Sequence, residues 1–527
     1  MYRISLEEVR ALLISHSLLR EIAAPRRDAA SPNESGPDLR VTCVFTRVFT
    51  NVSCDSRDAG KDTLFFVKGL NFREEYLAEA FEKGLEAYVA ERLFETQTAG
   101  IAVIVTDVKK AMAVVGARFY GNPQEKLRLI AFTGTKGKTT AVYFTKHILD
   151  YSTNKKTAMV STIDTTLDGV RYSKSQLTTP ESLDLFGMMA GAVENGMKYM
   201  IVEVSSQAYK TDRVYGLRFD LGVFLNISPD HIGPVEHSSF EDYFFCKCQL
   251  LRNSAVVVLN RNSDRFDRLL EAAAGKIVYI YGTDKKGVHV YAEPSPDDPP
   301  GFTVRPGELA GLEDICGGYK LRLAGGFNAE NALAAAVAAR LAGAAPEDIA
   351  RGIAETSVPG RMEILNGKNG SAVYVDYAHN KASLEALLGV VKESCRGRVI
   401  VVIGAPGGKG QSRRRDLGLV LDAIADAAVL TSDDPGFEDP AAIAEEIRAV
   451  MPNPEKARII AGREDAIRFA LSLAETPDDA VVIAGKGADR FQIVNGVKNP
   501  YDGDYTIAER IIEAMIKGMT NGKSPHE

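Results

Sequence analysis

The chain has 527 residues, 45% hydrophobic and 25% charged, a composition that excludes long disordered, fibrous and collagen-like architectures and predicts three or four globular domains. Its net charge of −7 argues against a partner bound through broad phosphate neutralisation, so we expect no nucleic-acid partner. The six cysteines have neither disulfide nor zinc-ligand spacing. The sequence also shows no signal peptide and no apolar run of about 18 residues. We therefore expect a cytoplasmic protein without a membrane partner.

Residues 1–127 are predicted to form the first of three domains. An amphipathic helix opens it, a polar surface loop follows over residues 24–39, and a β-like run covers residues 41–52. The other predicted elements alternate as in an α/β fold, with strands at 64–67, 87–90 and 101–105 and helices at 76–83 and 111–120.

Residues 128–359 are predicted to form a central domain around a parallel sheet. Its first strand, 129–132, leads through a glycine-rich loop into helix 140–149. Further along are predicted strands 199–204 and 221–226, a β-rich insertion over 284–324 and an alanine-rich buried helix over 329–341.

Residues 360–527 are predicted to form a third, Rossmann-like α/β domain, with residues 520–527 frayed. Apolar strands alternate there with amphipathic helices, which is typical of a doubly wound sheet. The predicted elements are strands 372–375, 399–403, 427–430 and 480–483 and helices that include 381–392 and 441–449.

The glycine-rich loop is the strongest single signal. Its residues are Gly134, Thr135, Lys136, Gly137, Lys138, Thr139 and Thr140. The backbone N–H groups of such a loop and the N-terminus of the following helix favour the binding of phosphate. Lys138 would reach the β- and γ-phosphates, and Thr139 would bind Mg²⁺. Phe132 stands where the strict Walker A spacing has glycine, so this is a variant phosphate loop. The alternative is a plain glycine turn before a helix.

Three downstream side chains are candidates for a metal site beside this loop. Glu203 ends an apolar strand, where a carboxylate can contact Mg²⁺, and His231 follows the next predicted strand. Lys247 lies among aromatic and apolar residues, and a desolvated lysine can react with CO₂ to give a carbamate that binds Mg²⁺. The alternatives are an ordinary loop histidine and a lysine whose ammonium reaches back to water.

Seven short motifs follow one another along the chain. They are Gly134-Thr135-x-Gly137-Lys138-Thr139-Thr140, Thr178-Thr179-Pro180, Glu203-Val204-Ser205-Ser206, Asn226-x-x-x-Asp230-His231, Phe327-Asn328-x-x-Asn331, Gly360-Arg361-Met362-Glu363 and Asp376-Tyr377-Ala378-His379. In this order they resemble the Mur ligases of peptidoglycan synthesis, over essentially the whole chain. Within that family the chain is similar to the ligase that adds a diamino acid to UDP-N-acetylmuramoyl-L-alanyl-D-glutamate.

The resemblance implies an ATP-dependent ligase that acts as a monomer. ATP would phosphorylate the D-glutamate carboxylate, and the incoming amine would displace phosphate from the acyl phosphate. By the same resemblance, Lys138 and Thr139 would contact phosphates and Mg²⁺; Glu203, His231 and carbamylated Lys247 would hold a second Mg²⁺; Asn328 and Asn331 would bind adenine; and Arg361 and Asp376 would contact ATP, with His379 beside them.

The resemblance also implies the nucleotide-sugar contacts, which make the first domain a uridine-binding domain. Ser56, Leu70, Asn71 and Phe72 match the uridine site, and Thr178, Thr179, Ser205 and Arg213 match contacts to the muramoyl dipeptide. Thr211 stands where the family has glutamine.

The third amino acid is predicted from the segment Asp433-Asp434-Pro435-Gly436. Family members that add meso-diaminopimelate carry Asp-Asn-Pro-Arg there, and the arginine pairs with the distal carboxylate. Glycine cannot do so, and the extra carboxylate suits the ε-ammonium of L-lysine. Lys409 and Asp489 would complete the site. The alternatives are a plain turn, and meso-diaminopimelate or L-ornithine as substrate.

Two rival functions remain open from the sequence. A folylpolyglutamate synthase shares the phosphate loop and the carbamylated lysine, although Asp55-Ser56-Arg57 and Thr178-Thr179-Pro180 favour the muramoyl substrate. The other rival is a non-catalytic nucleotide-binding switch or scaffold. The presence of every proposed phosphate and metal ligand argues against it.

Overall fold

The structure is a computed structural model that describes residues 2–23, 46–69, 72–94, 100–233, 236–295, 300–408 and 411–521. The predicted loop 24–39 lies outside these ranges, as do three predicted site residues, Leu70, Asn71 and Lys409. The chain divides into two compact units. One comprises Met1–Glu293, Val304–Gly317 and Asn331–Gly352, and the other comprises Pro294–Thr303, Gly318–Glu330 and Ile353–Glu527.

The amino-terminal part of the first unit alternates strands and helices. They are β1 (Ile4–Ser5), α1 (Leu6–Ser15), β2 (Leu19–Ala23), β3 (Val48–Phe49), β4 (Asn51–Ser53), β5 (Thr63–Phe66), α2 (Glu74–Glu82), β6 (Ala87–Ala90), β7 (Ile101–Val105) and α3 (Val108–Phe119). A five-stranded sheet has the order β2-β7-β6-β5-β4, with β4 to β7 parallel and β2 antiparallel to β7. Ser5 and Glu8 form a capping box that fixes the start of α1.

The central sheet of the same unit is built mainly from parallel strands. Its elements are β8 (Arg128–Thr133), α4 (Lys138–Thr153), β9 (Thr157–Val160), β10 (Asp164–Thr166), β11 (Ser173–Lys174), α5 (Ser182–Glu194), β12 (Tyr199–Glu203), α6 (Ser206–Lys210), β13 (Phe219–Phe224), α7 (Phe240–Arg252), β14 (Ser254–Asn260), α8 (Phe266–Ala272), β15 (Ile277–Gly282) and β16 (Val290–Pro294). Along the sheet the order runs β11-β10-β9-β12-β8-β13-β14-β15-β16. Neighbours from β9 to β16 are parallel, and β10 and β11 are antiparallel additions.

Helices α3 and α5 join these two sheets through close packing. Leu183 of α5 belongs to the buried core of the amino-terminal sheet. A side chain at Gly116 of α3 would meet Leu183 Cδ2 at 3.0 Å, so glycine permits the helices to approach.

The predicted β-rich insertion and alanine-rich helix are both present. They correspond to β16 with β17 (Phe302–Pro306) and β18 (Gly317–Tyr319), and to α9 (Gly326–Leu341), which α10 (Pro346–Glu355) follows. Short 3-10 helices lie at Ser56–Asp58, Pro123–Glu125, Glu313–Ile315 and Pro454–Lys456.

The second unit contains a six-stranded sheet. Its elements are β19 (Glu363–Asn366), β20 (Ala372–Asp376), α11 (Lys381–Ser394), β21 (Val399–Ile403), α12 (Gln411–Ile424), β22 (Ala427–Leu430), α13 (Pro440–Ala449), β23 (Ala457–Ile459), α14 (Arg463–Leu473), β24 (Ala480–Ala484), β25 (Phe491–Val494), β26 (Val497–Pro500) and α15 (Asp504–Asn521). The order is β19-β20-β24-β21-β22-β23, parallel except for the edge strand β19. Strands β25 and β26 form a separate hairpin.

A sheet of at least five strands thus falls within each predicted domain range, while the boundaries at 127 and 359 stay predictions. Among the described helices, none has both the length and the apolar character needed to cross a bilayer.

Candidate active site

Three adjacent parallel strands bring the predicted phosphate and metal residues to one edge of the central sheet. Strand β8 lies between β12 and β13, and Glu203 at the end of β12 is in register with Phe132 of β8, which is in register with Val223 of β13. The phosphate loop follows β8, while segments 204–206 and 225–231 follow the two flanking strands. Ligands of open α/β sheets bind at such carboxyl ends.

The phosphate loop is held in place by the segment after β13. The backbone N–H of Lys136 donates to Asn226 Oδ1 at 2.9 Å, and Asn226 Nδ2 donates to Lys136 O at 3.1 Å. Thr135 Oγ1 accepts a hydrogen bond from Ser228 N at 3.0 Å. Gly137, with φ +82°, provides the left-handed turn that starts α4. The loop therefore has a defined conformation that presents the helix N-terminus.

Two lysines converge on the backbone of this loop. Lys138 Nζ donates to Gly134 O at 2.9 Å and to Thr135 O at 3.2 Å, and Lys247 Nζ, from α7, also donates to Gly134 O at 2.7 Å. Lys247 is buried, and burial together with the nearby charge of Lys138 lowers its pKa well below the usual value of a lysine. Both conditions favour a neutral, reactive amine.

Tyr243, which the sequence did not single out, links α7 to the phosphate loop. Its hydroxyl donates to Thr135 Oγ1 at 3.1 Å, and the ring lies 4.8 Å from Lys247 Nζ. The residue is fully buried in an apolar core, one turn before Lys247 on the same helix. Tyr243 therefore helps to hold Lys247 beside the phosphate loop.

A hydrogen-bond network that includes three threonines surrounds Glu203. Glu203 accepts hydrogen bonds from Thr162 N at 2.8 Å and from Thr162 Oγ1 at 3.0 Å, and that hydroxyl also contacts Thr178 Oγ1 at 3.0 Å. Thr179 Oγ1 donates to Glu203 O at 2.8 Å and accepts from Ser205 N at 3.0 Å. Three residues predicted to contact the muramoyl dipeptide, Thr178, Thr179 and Ser205, therefore belong to one hydrogen-bond network with Glu203.

Arg213 connects this network to the amino-terminal sheet. Its Nη1 donates to Thr179 O at 3.0 Å, and its Nε lies 3.1 Å from Glu181 Oε1. The other oxygen of Glu181 pairs at 2.6 Å with Lys68, which comes just after β5. Of the predicted uridine residues, Ser56 begins a 3-10 helix capped by Asp55, while Phe72 packs edge-on against other aromatic rings.

The two histidines beside the site differ in environment. His231 has a left-handed backbone with φ +54°, a half-exposed side chain and an Nδ1 atom 2.8 Å from Glu236 Oε1. His237 is fully buried, with Nε2 2.9 Å from Ser206 Oγ and Nδ1 3.3 Å from Asp242 Oδ2. Lys210 donates to the same Asp242 oxygen at 2.5 Å. His237 thus links the start of α6 to α7, a contact that was not predicted from the sequence.

Cys246 shares the neighbourhood of His237 and Asp242, and the three potential ligand atoms lie within 4.8 Å of one another. The Lys210 ammonium already supplies the cation for Asp242 there. Burial and the carboxylate raise the Cys246 pKa to about 11, which keeps the thiol protonated. Cys246 and its neighbour Cys248 are both buried free thiols.

The second unit gathers its own predicted residues at the carboxyl ends of β20 and β24. Asp376 accepts backbone hydrogen bonds from Met362 at 2.9 Å and from Ala378 at 2.8 Å, and its burial raises the carboxyl pKa. The guanidinium of Arg361 lies 4.8 Å from the Tyr377 ring. His379 Nδ1 is 2.9 Å from Tyr377 O, and burial lowers its pKa, which favours a neutral imidazole. Asn328, at the start of α9, donates through Nδ2 to Ala324 O at 2.7 Å.

The predicted amino-acid site proves to contain its own ammonium group. Lys486 Nζ, between two glycines of the loop after β24, donates to Asp434 Oδ1 at 2.8 Å and to Asp433 Oδ1 at 3.3 Å. Asp489 Oδ2 is 4.0 Å from the same nitrogen. The three acids predicted for this site therefore do meet, around a lysine for which no role was predicted.

Known sequences and domain families match this chain over most of its length. The sequence model of the Mur ligase middle domain matches residues 132–339, and that of the Mur ligase glutamate ligase domain matches residues 360–487. An Enterococcus faecalis protein named UDP-N-acetylmuramoyl-L-alanyl-D-glutamate–L-lysine ligase is 52% identical over 515 residues, covering 97% of this chain and 99% of that one. The chain belongs to the Mur ligase family. The predicted family and its enzymatic character are confirmed.

Solved structures confirm the predicted α/β fold of this Mur ligase. A UDP-N-acetylmuramoyl-L-alanyl-D-glutamate–2,6-diaminopimelate ligase aligns with a TM-score of 0.64 at 23% identity, over 98% of this chain and 99% of that one. A Mycobacterium tuberculosis folylpolyglutamate synthase solved with ADP gives a TM-score of 0.56 at 18% identity, over 71% of this chain and 91% of that one. The second likeness leaves more than a quarter of this Mur ligase unmatched.

The donor set of this Mur ligase suits Mg²⁺. Glu203 is fully buried, and within the described part of the chain no lysine or arginine pairs with its carboxylate, so it lacks a compensating cation. Buried carboxylates are costly without one. Thr139 contributes a buried hydroxyl oxygen, and hard oxygen ligands are those that Mg²⁺ prefers.

Gly137→Ala tests how tightly the phosphate loop of this Mur ligase is packed. An added Cβ would lie 2.2 Å from Asn331 Oδ1, so we expect the KM for ATP to rise about tenfold or more. Gly196→Ala is the matched control, since Gly196 has a similar φ of +73° but nothing within 4 Å of an added Cβ. It should carry only the backbone cost of about 1–2 kcal/mol and leave the KM for ATP unchanged. Equal ATP kinetics in both variants would contradict the packing argument.

Proposed function

We propose that this Mur ligase joins L-lysine to the D-glutamate carboxylate of UDP-N-acetylmuramoyl-L-alanyl-D-glutamate while ATP is converted to ADP and phosphate. This is the reaction named for the Enterococcus faecalis relative at 52% identity. Peptidoglycan precursor synthesis is the process in which the reaction takes place.

The acidic cluster in the second unit is the observation that carries the choice of L-lysine. Asp433, Asp434 and Asp489 bring three carboxylates around one internal ammonium. Gly436 follows them with no side chain, and its N–H donates to Ile493 O at 3.0 Å, so this position offers no cation for a second substrate carboxylate. A cationic side chain suits such a surface, and a distal carboxylate does not.

The charge on the first unit supports the anionic substrates. Although the chain has a net charge of −7, Lys68, Lys138 and Arg213 place positive groups around the phosphate loop and the threonine network. A carboxylate is a poor electrophile, and phosphorylation gives it a leaving group. The protein's task is to align the reacting groups and to offset the charge that develops.

Magnesium and a lysine carbamate are part of the proposal. Thr139 would contact Mg²⁺ at the phosphates, and Glu203, His231 and carbamylated Lys247 would hold a second Mg²⁺. When bound, these ions would offset charge on the phosphates. The buried carboxylate of Glu203, which pairs with no lysine or arginine of the described residues, and the depressed pKa of Lys247 support this assignment. Asn328, Asn331, Arg361 and Asp376 are the proposed adenosine and phosphate contacts of ATP.

An amino-acid panel tests the proposed function. Purified enzyme, ATP, Mg²⁺ and the UDP-muramoyl dipeptide should release ADP with L-lysine at a kcat/KM at least about a hundredfold above that with meso-diaminopimelate. L-Ornithine, one methylene shorter, should lie between them. Preference for meso-diaminopimelate would overturn the choice of lysine.

The same assay separates the two rival functions. ADP release that depends on a folate and glutamate would favour the folylpolyglutamate synthase. ATP binding without ADP release for any acceptor and amine would favour the non-catalytic switch or scaffold.

A further inference from the structure

Lys486 is a buried ammonium beneath the acids of the amino-acid site. Its side chain is 0% exposed, whereas those of Asp433, Asp434 and Asp489 are 10%, 20% and 26% exposed. The lysine therefore lies on the protein side of the cluster, and the carboxylates have their open side toward solvent. A substrate cation can reach the acids but cannot reach Lys486.

Acids outnumber the ammonium in this cluster. Three carboxylates, those of Asp433, Asp434 and Asp489, lie within 4.0 Å of Lys486 Nζ. The guanidinium of Arg463 is bonded to Asp504 at 2.8 and 2.7 Å. A surface rich in carboxylates suits a cationic substrate group.

Lys486 and the β25–β26 hairpin hold the side chains of the two neighbouring aspartates. Asp434 Oδ1 accepts one further hydrogen bond, from Ile493 N at 3.0 Å, which ties it to the β25–β26 hairpin. Asp433 Oδ1 is held by Lys486. Because like charges repel, the ammonium between them is what allows the two neighbouring carboxylates to face the same place.

We propose that Lys486 is a positioning residue for amino-acid selection, which holds the carboxylates of Asp433 and Asp434 in the orientation that receives the side-chain ammonium of the incoming amino acid. The proposal rests on the proposed function, in which that amino acid is L-lysine. Lys486 acts through the aspartates and does not touch the substrate.

Lys486→Met tests this role in steady-state kinetics of the full-length enzyme. We expect the KM for L-lysine to rise about tenfold or more, with kcat changed by less than about threefold. The KM values for ATP and for the UDP-muramoyl dipeptide should stay within about twofold, which a merely structural defect would not achieve. Lys486→Arg retains the positive charge and should recover part of the loss.

Lys498→Met is the matched control. Lys498 stands over the same Phe491 ring, at 3.9 Å compared with 5.3 Å for Lys486, but it is exposed on β26 and has no contact with the acids among the described residues. The control should leave all three KM values unchanged.

Removal of a buried counter-ion also destabilises the fold around the acids. A second variant therefore separates this loss of stability from the effect on the KM for L-lysine. Lys486→Met combined with Asp433→Asn removes one negative charge together with the positive one, and it should melt closer to the wild type while keeping a raised KM for L-lysine. A KM for L-lysine within about twofold of the wild type in Lys486→Met, or an equal rise in the KM for ATP, would overturn the proposal. Wild-type enzyme that does not use L-lysine would instead overturn the proposed function, before any variant is compared.

Discussion

Replacing Lys247 with alanine is expected to lower kcat by about a thousandfold or more, because the carbamate that helps to hold the second Mg²⁺ would be lost. Lys247 is 2% exposed, donates to the phosphate loop at Gly134 O and has a pKa depressed by burial and by Lys138. A buried lysine with these properties is poorly explained as a structural cation, since its charged form is disfavoured where it lies.

Chemical rescue of the Lys247→Ala variant distinguishes a missing carbamate from a damaged fold. Short carboxylic acids such as acetate should partly restore its ADP release, because they supply a carboxylate to the vacated space. Cys248→Ala, which alters the next buried residue of α7, should keep wild-type activity within a few-fold. Normal turnover in Lys247→Ala would remove this lysine from the mechanism.

Replacing Lys138 with methionine should be equally severe, with a loss of about a thousandfold in kcat/KM. Lys138 bridges Gly134 O and Thr135 O, so its ammonium stands at the phosphate loop. Its charge also depresses the pKa of Lys247. Without Lys138 the pKa of Lys247 rises, and less of its amine is neutral at a given pH.

Two measurements check the Lys138→Met prediction. Calorimetric titration with ATP should show weakened binding, and acetate should fail to restore activity, in contrast to Lys247→Ala. Lys156→Met, an exposed lysine beyond the far end of α4, is the matched control and should behave as the wild type. Wild-type ATP affinity in Lys138→Met would contradict the phosphate role.

The strands of this Mur ligase were largely predictable because buried parallel strands are continuous apolar runs. The predicted bounds of β6, β7, β21 and β22 agree with the structure residue for residue. The phosphate loop was predictable for a similar local reason, since strand, glycines, lysine and helix follow one another directly. Helix bounds were less accurate: α4 begins at Lys138 where residue 140 was predicted.

Contacts between distant segments could not be predicted in the same way. Lys486 and Asp434 are 52 residues apart, and Tyr243 and Thr135 are 108 residues apart. Their pairing depends on which strands become neighbours in the sheets, and local sequence does not record that. The acids of the amino-acid site were found from a motif, whereas the lysine beneath them was found from the structure.

A competition reaction tests the central claim most directly. The enzyme is given ATP, Mg²⁺ and the UDP-muramoyl dipeptide with equal concentrations of L-lysine, L-ornithine and meso-diaminopimelate, and the products are identified by mass spectrometry. The acidic site predicts that the L-lysine product dominates by about a hundredfold over the meso-diaminopimelate product. A predominant meso-diaminopimelate product would contradict the account.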